Sequence, residues 1–362
     1  MGDAGESPSS HNPPPSPQYF QPAEHLPHSH TLTAFPNLPG CYQDAASTSA
    51  ARREVAAIAT AISHFEPVWL YAHPAHARIA RALVNDNDNQ DVDVVVKEAE
   101  VDNLWIRDLG PVFLHSPRTG KTAAVDFNFN YWGHKAEETV DGAFARRVLA
   151  SREFGHVETV QAGIVSEGGA LEVDGEGTLM VTDTSIVNEN RNPGMGKREI
   201  EAELKRVLGV RKVIWLKGVE GLESTDWHVD AWCRFVRPGK VLLSKPPLNA
   251  HKEIRAIFED ALRVLAQETD AKGRRLEVVV VDEPDQEKLA GGTVEGMVTS
   301  YVNYLLVNGG VVMAKFGDEE PDEKALALIK ELFPERKVVQ VYINELPRLG
   351  GGIHCATQHV PV

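Results

Sequence analysis

The chain has 362 residues, of which 42% are apolar and 25% are charged, an ordinary composition for a globular protein with a large core. Its formal charge of -15 disfavours nucleic acid as a partner, and no apolar run approaches the roughly 20 residues that a membrane span needs. Cys41, Cys233 and Cys355 are too few and too scattered for a disulfide framework or a zinc-binding cysteine pair. These features predict a cytoplasmic protein without nucleic-acid or membrane partners.

The N-terminus differs from the rest of the chain in composition. Residues 1-30 are crowded with Pro, Ser, His and Gly, and such a segment buries too little apolar surface to order itself. We therefore predict a disordered tail over 1-30 and a single catalytic domain over 31-362.

Hydrophobic periodicity predicts an alternation of helices and strands along the domain. Helices are expected at 52–65, 135–151, 197–208, 251–267 and 323–333. Strands are expected at 68–71, 91–97, 121–127, 178–182, 212–216, 240–244, 277–281, 300–307, 310–315 and 337–342. Five α/β units follow, and periodicity alone fits an open α/β sheet as well as a ring of repeated units.

Three stretches in the first half of the domain are candidate site segments. Trp105-Ile106-Arg107-Asp108 precedes a Gly-Pro turn, as a strand end facing a cleft would. Without the other motifs, this stretch favours an ordinary Arg-Asp pair beside a turn. The loop Asn128 to Gly133, which contains Trp132, suits a ligand wall or the edge of a core. Glu167 stands before two glycines, which is weak evidence, and Arg191 is expected to anchor its loop.

The C-terminus carries the candidate nucleophile. Gly350-Gly351-Gly352 leads into Cys355, and a reactive thiol needs exposed backbone N–H groups or a cationic neighbour that lowers its pKa. The alternative is a buried cysteine after a turn. Upstream, an extended run would place Asp226, His228 and Asp230 on one strand face, an unfavourable grouping unless it meets a charged ligand. Together these stretches suggest covalent catalysis on a cation.

Read together, five motifs resemble the agmatine deiminase and bacterial-type peptidyl-arginine deiminase family, in family order from about residue 65 to the C-terminus. The motifs are Trp105 to Pro111, Glu167-Gly168-Gly169, Asn190 to Pro193, Thr225 to Asp230 and Gly350 to Cys355. The resemblance implies a pentein fold, a five-bladed α/β propeller with pseudo-fivefold repeats. It also implies hydrolysis of a small cationic guanidinium substrate to a ureido product and ammonia, without metal or cofactor.

The resemblance assigns a role to each matching residue. Cys355 would be the nucleophile, His228 the proton carrier, and Asp108 and Asp230 the carboxylates that hold the guanidinium. Glu167 would bond to His228 or reach the guanidinium. The remaining candidate substrate-binding residues are Trp105, Trp132, Trp227 and Gly352.

Two departures bear on the substrate. Agmatine deiminases resembling this chain usually carry Gly where Trp227 stands, and their aromatic loop differs from Asn128 to Gly133. The peptidyl-arginine branch would need arginines for a terminal carboxylate, but Arg118 is the only one between Leu109 and Ala145. Agmatine is therefore the expected substrate, and a homodimer is a possible assembly.

Other functions stay open on the sequence. Peptidyl or otherwise substituted arginine is the main alternative substrate, and an amidinotransferase would share the fold. A non-catalytic, ribosome-binding pentein has no reason to keep Asp108, His228, Asp230 and Cys355 together. A zinc hydrolase that uses His228, Asp230 and His354 is the remaining alternative.

Overall fold

The computed structural model describes residues 18–37, 44–85 and 92–362, and within them the chain forms five small sheets. The strands are β1 (His28–Phe35), β2 (Val68–Ala72), β3 (Val94–Glu98), β4 (Val112–His115), β5 (Thr122–Asp126), β6 (Glu158–Gln161), β7 (Glu172–Val173), β8 (Thr178–Thr182), β9 (Lys212–Leu216), β10 (Cys233–Arg237), β11 (Lys240–Lys245), β12 (Glu277–Asp282), β13 (Leu305–Val307), β14 (Gly310–Lys315), β15 (Lys337–Tyr342) and β16 (Thr357–Pro361).

The α-helices differ widely in length, and the longest spans 19 residues. They are α1 (Ala45–Ser63), α2 (Ala77–Asn85), α3 (Ile106–Leu109), α4 (Tyr131–His134), α5 (Phe144–Leu149), α6 (Asp183–Ile186), α7 (Lys197–Leu208), α8 (Lys252–Gln267), α9 (Glu319–Leu332) and α10 (Glu345–Arg348). Short 3-10 helices occupy Val140–Ala143, Gly168–Ala170, Val229–Ala231 and Gln286–Lys288. Over the described residues, no helix combines the length and apolarity that crossing a membrane requires.

One strand pattern repeats in every sheet. Strands β4, β5 and β6 form an antiparallel pair followed by a parallel pair, and β7 to β9, β10 to β12 and β13 to β15 do the same. Each parallel crossover contains a helix, namely α5, α7, α8 or α9. In the remaining sheet β16 pairs antiparallel with β1, so the C-terminal strand joins the N-terminal unit. The predicted α/β fold of five repeated units is confirmed.

The apolar periodicity of the helices explains how they pack. Val55, Ile58 and Ile62 of α1 are fully buried in the main core cluster, and Asp44 caps the helix by accepting hydrogen bonds from Ala46 N and Ser47 N at 2.8 Å each. Helix α7 ends at Gly209, whose φ of +65° suits a glycine.

The predicted helix over 135–151 is wrong in its first half. Thr139 has an extended backbone and its side chain accepts a hydrogen bond from Asp141 N, so a 3-10 turn starts there and α5 begins only at Phe144. Helix α2 has no counterpart among the predicted helices. Strands β8, β9, β14 and β15 have the predicted bounds.

The predicted tail is also wrong for its described part, residues 18–30. Strand β1 begins at His28, and Tyr19, Ala23 and Glu24 are buried. The segment crosses several units, because Phe20 N donates to His115 O at 3.0 Å and Gln21 N donates to Leu208 O at 3.0 Å. Residues 1–17 lie outside the described residues. The segment is ordered by contacts from distant units, which composition does not reveal.

Candidate active site

Cys355 lines a cavity of about 460 Å³, together with Trp227, His228 and Asp230. It lies between the glycine loop 350–352 and strand β16, and its side chain is partly buried. The structure thus brings the predicted nucleophile and the predicted proton carrier to one cavity, although 127 positions separate them in the printed sequence.

The three glycines before Cys355 each meet a requirement of the loop. Gly350 has a φ of +94°, which side chains rarely adopt. A Cβ at Gly351 would lie 2.5 Å from the Trp105 ring, and one at Gly352 would lie 2.5 Å from Asn303 Oδ1. Trp105 is thus a buried support behind the loop, and the small size of Gly352 lets Asn303 approach the nucleophile.

Asn303 is a site residue that sequence reasoning missed. Its Nδ2 donates to Cys355 Sγ at 3.2 Å, and its Oδ1 accepts from His354 N at 3.0 Å. The side chain is buried just before β13, in a stretch whose apolar residues predicted an ordinary hairpin strand. An amide that donates to sulfur stabilises a thiolate, but a single Asn in an apolar run gives no signal of that role.

His228 lies between two carboxylates. Its Nδ1 is 3.5 Å from Asp108 Oδ1, and its Nε2 is 3.5 Å from Glu167 Oε2. Trp132, predicted to bind substrate, is not among the residues that line the cavity. Its Nε1 instead donates a hydrogen bond to Asp108 Oδ2 at 2.9 Å. Glu167 is held by Arg191, whose Nε donates at 2.9 Å. Arg191 therefore anchors Glu167 beside the imidazole.

The Glu-Gly-Gly motif keeps space for this cluster. A Cβ on Gly169 would lie 2.6 Å from His228 Nδ1, 2.8 Å from Asp108 Oδ1 and 3.1 Å from Asp230 Oδ2. Real Cβ atoms essentially never show the two distances below 3.0 Å, and the third is tighter than most real Cβ contacts. Only glycine leaves room where the imidazole and the two aspartates approach one another.

Asp230 lies close to the thiol. Its Oδ2 lies 2.6 Å from His354 Nδ1 and 3.7 Å from Cys355 Sγ. Its Oδ1 is buried without a hydrogen-bond partner among the described residues. A buried carboxylate oxygen of this kind is suited to an N–H donor supplied by a ligand.

The charges of the cluster shift its pKa values. Burial disfavours charge on His228, but the carboxylates of Asp108, Glu167 and Asp230 outweigh burial and raise its pKa to about 9. Burial raises the pKa of Asp108 to about 6, partly offset by the charge of His228. Burial, and then the carboxylates of Asp230 and Asp108, raise the pKa of the Cys355 thiol well above its ordinary value. Without a bound cation the site therefore holds a thiol beside an imidazolium.

The predicted strand face of Asp226, His228 and Asp230 is wrong. Asp226 and Trp227 have φ angles of 60° and 82°, so the chain turns there and the alternation of an extended strand is lost. Asp226 does not line the cavity and pairs with Lys135 and Arg191. Only His228 and Asp230 enter the cavity, while the ring of Trp227 lines its wall.

The alternative zinc ligands do not converge. Both ring nitrogens of His354 are engaged by carboxylates, Nδ1 with Asp230 at 2.6 Å and Nε2 with Glu24 at 2.8 Å. Across residues 18–37, 44–85 and 92–362, no group of three or more His, Cys, Asp and Glu side chains is arranged to hold a metal ion. The geometry therefore favours nucleophilic chemistry at Cys355 over a zinc centre at His354.

Comparisons with known proteins agree with this site. The sequence pattern of the Porphyromonas-type peptidyl-arginine deiminase family matches residues 20–361, a span that starts well before the first motif. An agmatine deiminase of Stutzerimonas stutzeri is 38% identical over 95% of both chains. One from Medicago truncatula is 34% identical over 95% of this chain and 96% of its own length. The structure of agmatine deiminase of Enterococcus faecalis superposes with a TM-score of 0.84 at 30% identity, covering 95% of this chain and 96% of that one. The chain belongs to the Porphyromonas-type peptidyl-arginine deiminase family.

Proposed function

We propose that the protein hydrolyses agmatine to N-carbamoylputrescine and ammonia. The observation that carries this proposal is the meeting of Cys355, His228, Asp108 and Asp230 in a chain whose relatives of 34% and 38% identity are agmatine deiminases. A planar guanidinium has several N–H donors, and the two carboxylates near the thiol can accept them while the central carbon is presented to sulfur.

Binding of the cation prepares the nucleophile. The positive guanidinium beside Asp108 and Asp230 offsets the two negative charges that raise the pKa of Cys355. The thiol can then release its proton to solvent, because His228 is already protonated, and the thiolate is stabilised by the hydrogen bond from Asn303 Nδ2 at 3.2 Å. The substrate thereby activates the group that attacks it.

Two steps complete the reaction. The thiolate adds to the guanidinium carbon, and the His228 imidazolium gives its proton to the departing nitrogen, so a C–N bond breaks and ammonia leaves. The imidazole then takes a proton from water as the water oxygen adds to the thiouronium carbon. The C–S bond breaks, the protonated ureido product gives its extra proton to solvent, where the released ammonia takes one up, and the thiolate and imidazolium are restored. Once the product has left, the thiolate regains its proton from solvent. A pKa of about 9 suits His228 to its role as donor near neutral pH.

The charge of the cavity favours a substrate with a second cationic group. Glutamates line it together with Asp230, and the described lining includes no Lys or Arg side chain. The lining glutamates are Glu223, Glu283, Glu287 and Glu295. The primary amine of agmatine is compatible with these carboxylates, whereas the carboxylate of free arginine would be desolvated there without a cationic partner.

The test is ammonia release from purified protein with agmatine, free arginine, and peptides with terminal or internal arginine. An unpaired carboxylate costs about 3 kcal/mol or more, and about 1.4 kcal/mol is a factor of ten. We therefore expect kcat/KM for agmatine to exceed that for arginine by about two orders of magnitude. The Cys355→Ser variant should fold but release no ammonia.

Three results would contradict the proposal. Equal kcat/KM for agmatine and arginine would remove the charge argument, and turnover of peptidyl arginine without turnover of agmatine would assign the other substrate of the family. Substantial ammonia release by Cys355→Ser would remove the covalent mechanism. The cytoplasmic location and the homodimer remain predictions.

A further inference from the structure

The N-terminal segment brings one carboxylate into the protein interior behind the site. Glu24 Oε1 accepts from Arg234 Nη2 at 2.9 Å and from Leu306 N at 2.8 Å. Its Oε2 accepts from Arg107 Nη2 at 3.3 Å and lies 2.8 Å from His354 Nε2. Glu24 is buried, and the reaction proposed above gives it no role. A carboxylate with four polar partners from distant parts of the chain is strongly fixed in orientation.

The histidine that Glu24 contacts is held between two carboxylates. His354 Nε2 lies 2.8 Å from Glu24, and Nδ1 lies 2.6 Å from Asp230 Oδ2. Burial alone would raise the pKa of both carboxyl groups. Arg234 and His354 nevertheless lower the pKa of Glu24, and His354 lowers the pKa of Asp230. Ionised carboxylates only accept hydrogen bonds, so each ring nitrogen must donate. His354 is therefore an imidazolium.

This imidazolium fixes Asp230 beside the nucleophile. Because His354 takes Oδ2 of Asp230, the other oxygen, Oδ1, stays unpaired for a ligand. Oδ2 also lies 3.7 Å from Cys355 Sγ, so any rotation of the carboxylate changes its distance from the thiol. We propose that Glu24 is a positioning residue that holds His354 charged and thereby fixes Asp230 for guanidinium binding.

Other charged groups around His354 do not replace Glu24. Arg107 Nε donates to the backbone oxygen of His354 at 3.2 Å and does not contact the ring. Glu172 binds Arg234 Nε at 3.2 Å and Phe235 N at 2.9 Å, one step removed from the histidine. The titratable and charged groups that face His354 are Glu24, Asp230, Arg107, Arg234, Glu172, His359 and Cys355. Among the described residues, only Glu24 and Asp230 lie within hydrogen-bond distance of the His354 ring.

The experiment compares Glu24→Gln with Glu172→Gln in the full-length protein, with kcat and KM for agmatine measured separately. Glu24→Gln keeps the side-chain shape but removes the carboxylate that holds the His354 ring. Because Asp230 is then less well placed to bind the guanidinium, we expect KM to rise on the order of tenfold, with a smaller change in kcat.

The matched controls separate positioning from general damage to the interior. Glu172→Gln removes a carboxylate from the same buried cluster without touching His354, so it can lower the melting temperature but should leave KM unchanged. Glu24→Asp keeps the carboxylate and should return KM towards its wild-type value. A Glu24→Gln variant with the wild-type KM, or an equal rise of KM in Glu172→Gln, would overturn the proposal.

A second measurement applies even if Glu24→Gln does not fold. In wild-type protein labelled with ¹⁵N-histidine, the ring signals of His354, assigned by their loss in His354→Gln, should be those of an imidazolium at neutral pH. A neutral ring would overturn the proposal. The kinetic test rests on the proposed function, but failure of the function can be distinguished from failure of this inference. Wild-type protein that is inactive on agmatine refutes the function. The His354 signals test the role of Glu24 without any substrate.

Discussion

Adding one methyl group at Gly169 tests the geometry of the whole site. Gly169 is outside the set of glycines with positive φ, so alanine can adopt its backbone and only space opposes the change. The new Cβ would lie 2.6 Å from His228 Nδ1, about 0.8 Å short of the 3.4 Å at which ordinary contacts begin. It would lie 2.8 Å from Asp108 Oδ1, so the carboxylate must also withdraw.

The expected cost follows from these displacements. A misplacement of about 1 Å in a reacting group lowers the rate by about 100-fold, and the methyl also occupies space beside the carboxylates proposed to hold the guanidinium. We expect Gly169→Ala to lower kcat/KM for agmatine by about 100-fold. The readout is the initial rate of ammonia release, with circular dichroism and a melting curve to establish that the variant is folded.

Gly196→Ala is the matched control. Gly196 also lacks a positive φ, and its added Cβ would meet Glu199 Oε2 at 3.5 Å, an ordinary contact. Its kcat/KM should equal that of the wild type. If folded Gly169→Ala retains activity within about threefold of wild type, the proposed arrangement of His228, Asp108 and the substrate is refuted.

Two further predictions concern the N-terminal segment and the pH dependence. Deleting residues 1–17 keeps the contacts of 18–30, whereas deleting 1–27 leaves Arg107, Arg234 and His354 without the Glu24 carboxylate. The shorter deletion should therefore keep the wild-type melting temperature. Breaking one buried ion pair costs about 3–5 kcal/mol, so the longer deletion should yield little folded protein. Equal melting temperatures for the two deletions would contradict this prediction. For the wild type, kcat/KM should decrease at pH values below about 6, where Asp108 gains a proton, and at pH values above about 9, where His228 loses one. A kcat/KM that stays constant through either pH value would contradict the assignment of that group.

Local patterns predicted the repeated units because each unit depends on local signals. The β-branched runs that become β8, β9, β14 and β15 are bounded by turn residues, so their limits are visible in the sequence. The motifs around Cys355 and His228 were also found, since their residue types are unusual in such surroundings. What a local pattern specifies can be predicted from the chain alone.

The missed features depend on contacts between distant segments. Glu24 lies in a segment whose average composition is that of a disordered chain, yet its partners Arg234 and His354 lie 210 and 330 positions away. Asn303 contacts Cys355 across 52 positions. The turn at Asp226 is held by Lys135 and Arg191 from other units, which reverses the expected direction of its side chain. Such contacts leave no trace in the spacing of apolar residues, which repeats every two residues in a strand and every 3.6 in a helix.

Each of the carboxylates Asp108, Glu167 and Asp230 is paired with a cation, which offsets the electrostatic repulsion among them. Glu167 is paired with Arg191 and Asp230 with His354, and both of these cations are fixed by further carboxylates, Asp226 and Glu24. Asp108 is different, because its cation is His228, the proposed proton carrier. When His228 gives its proton to ammonia, Asp108 loses that charge, and the cationic thiouronium formed in the same step can replace it. Permanent partners thus hold Glu167 and Asp230 in place, while the charge beside Asp108 can change as the reaction proceeds.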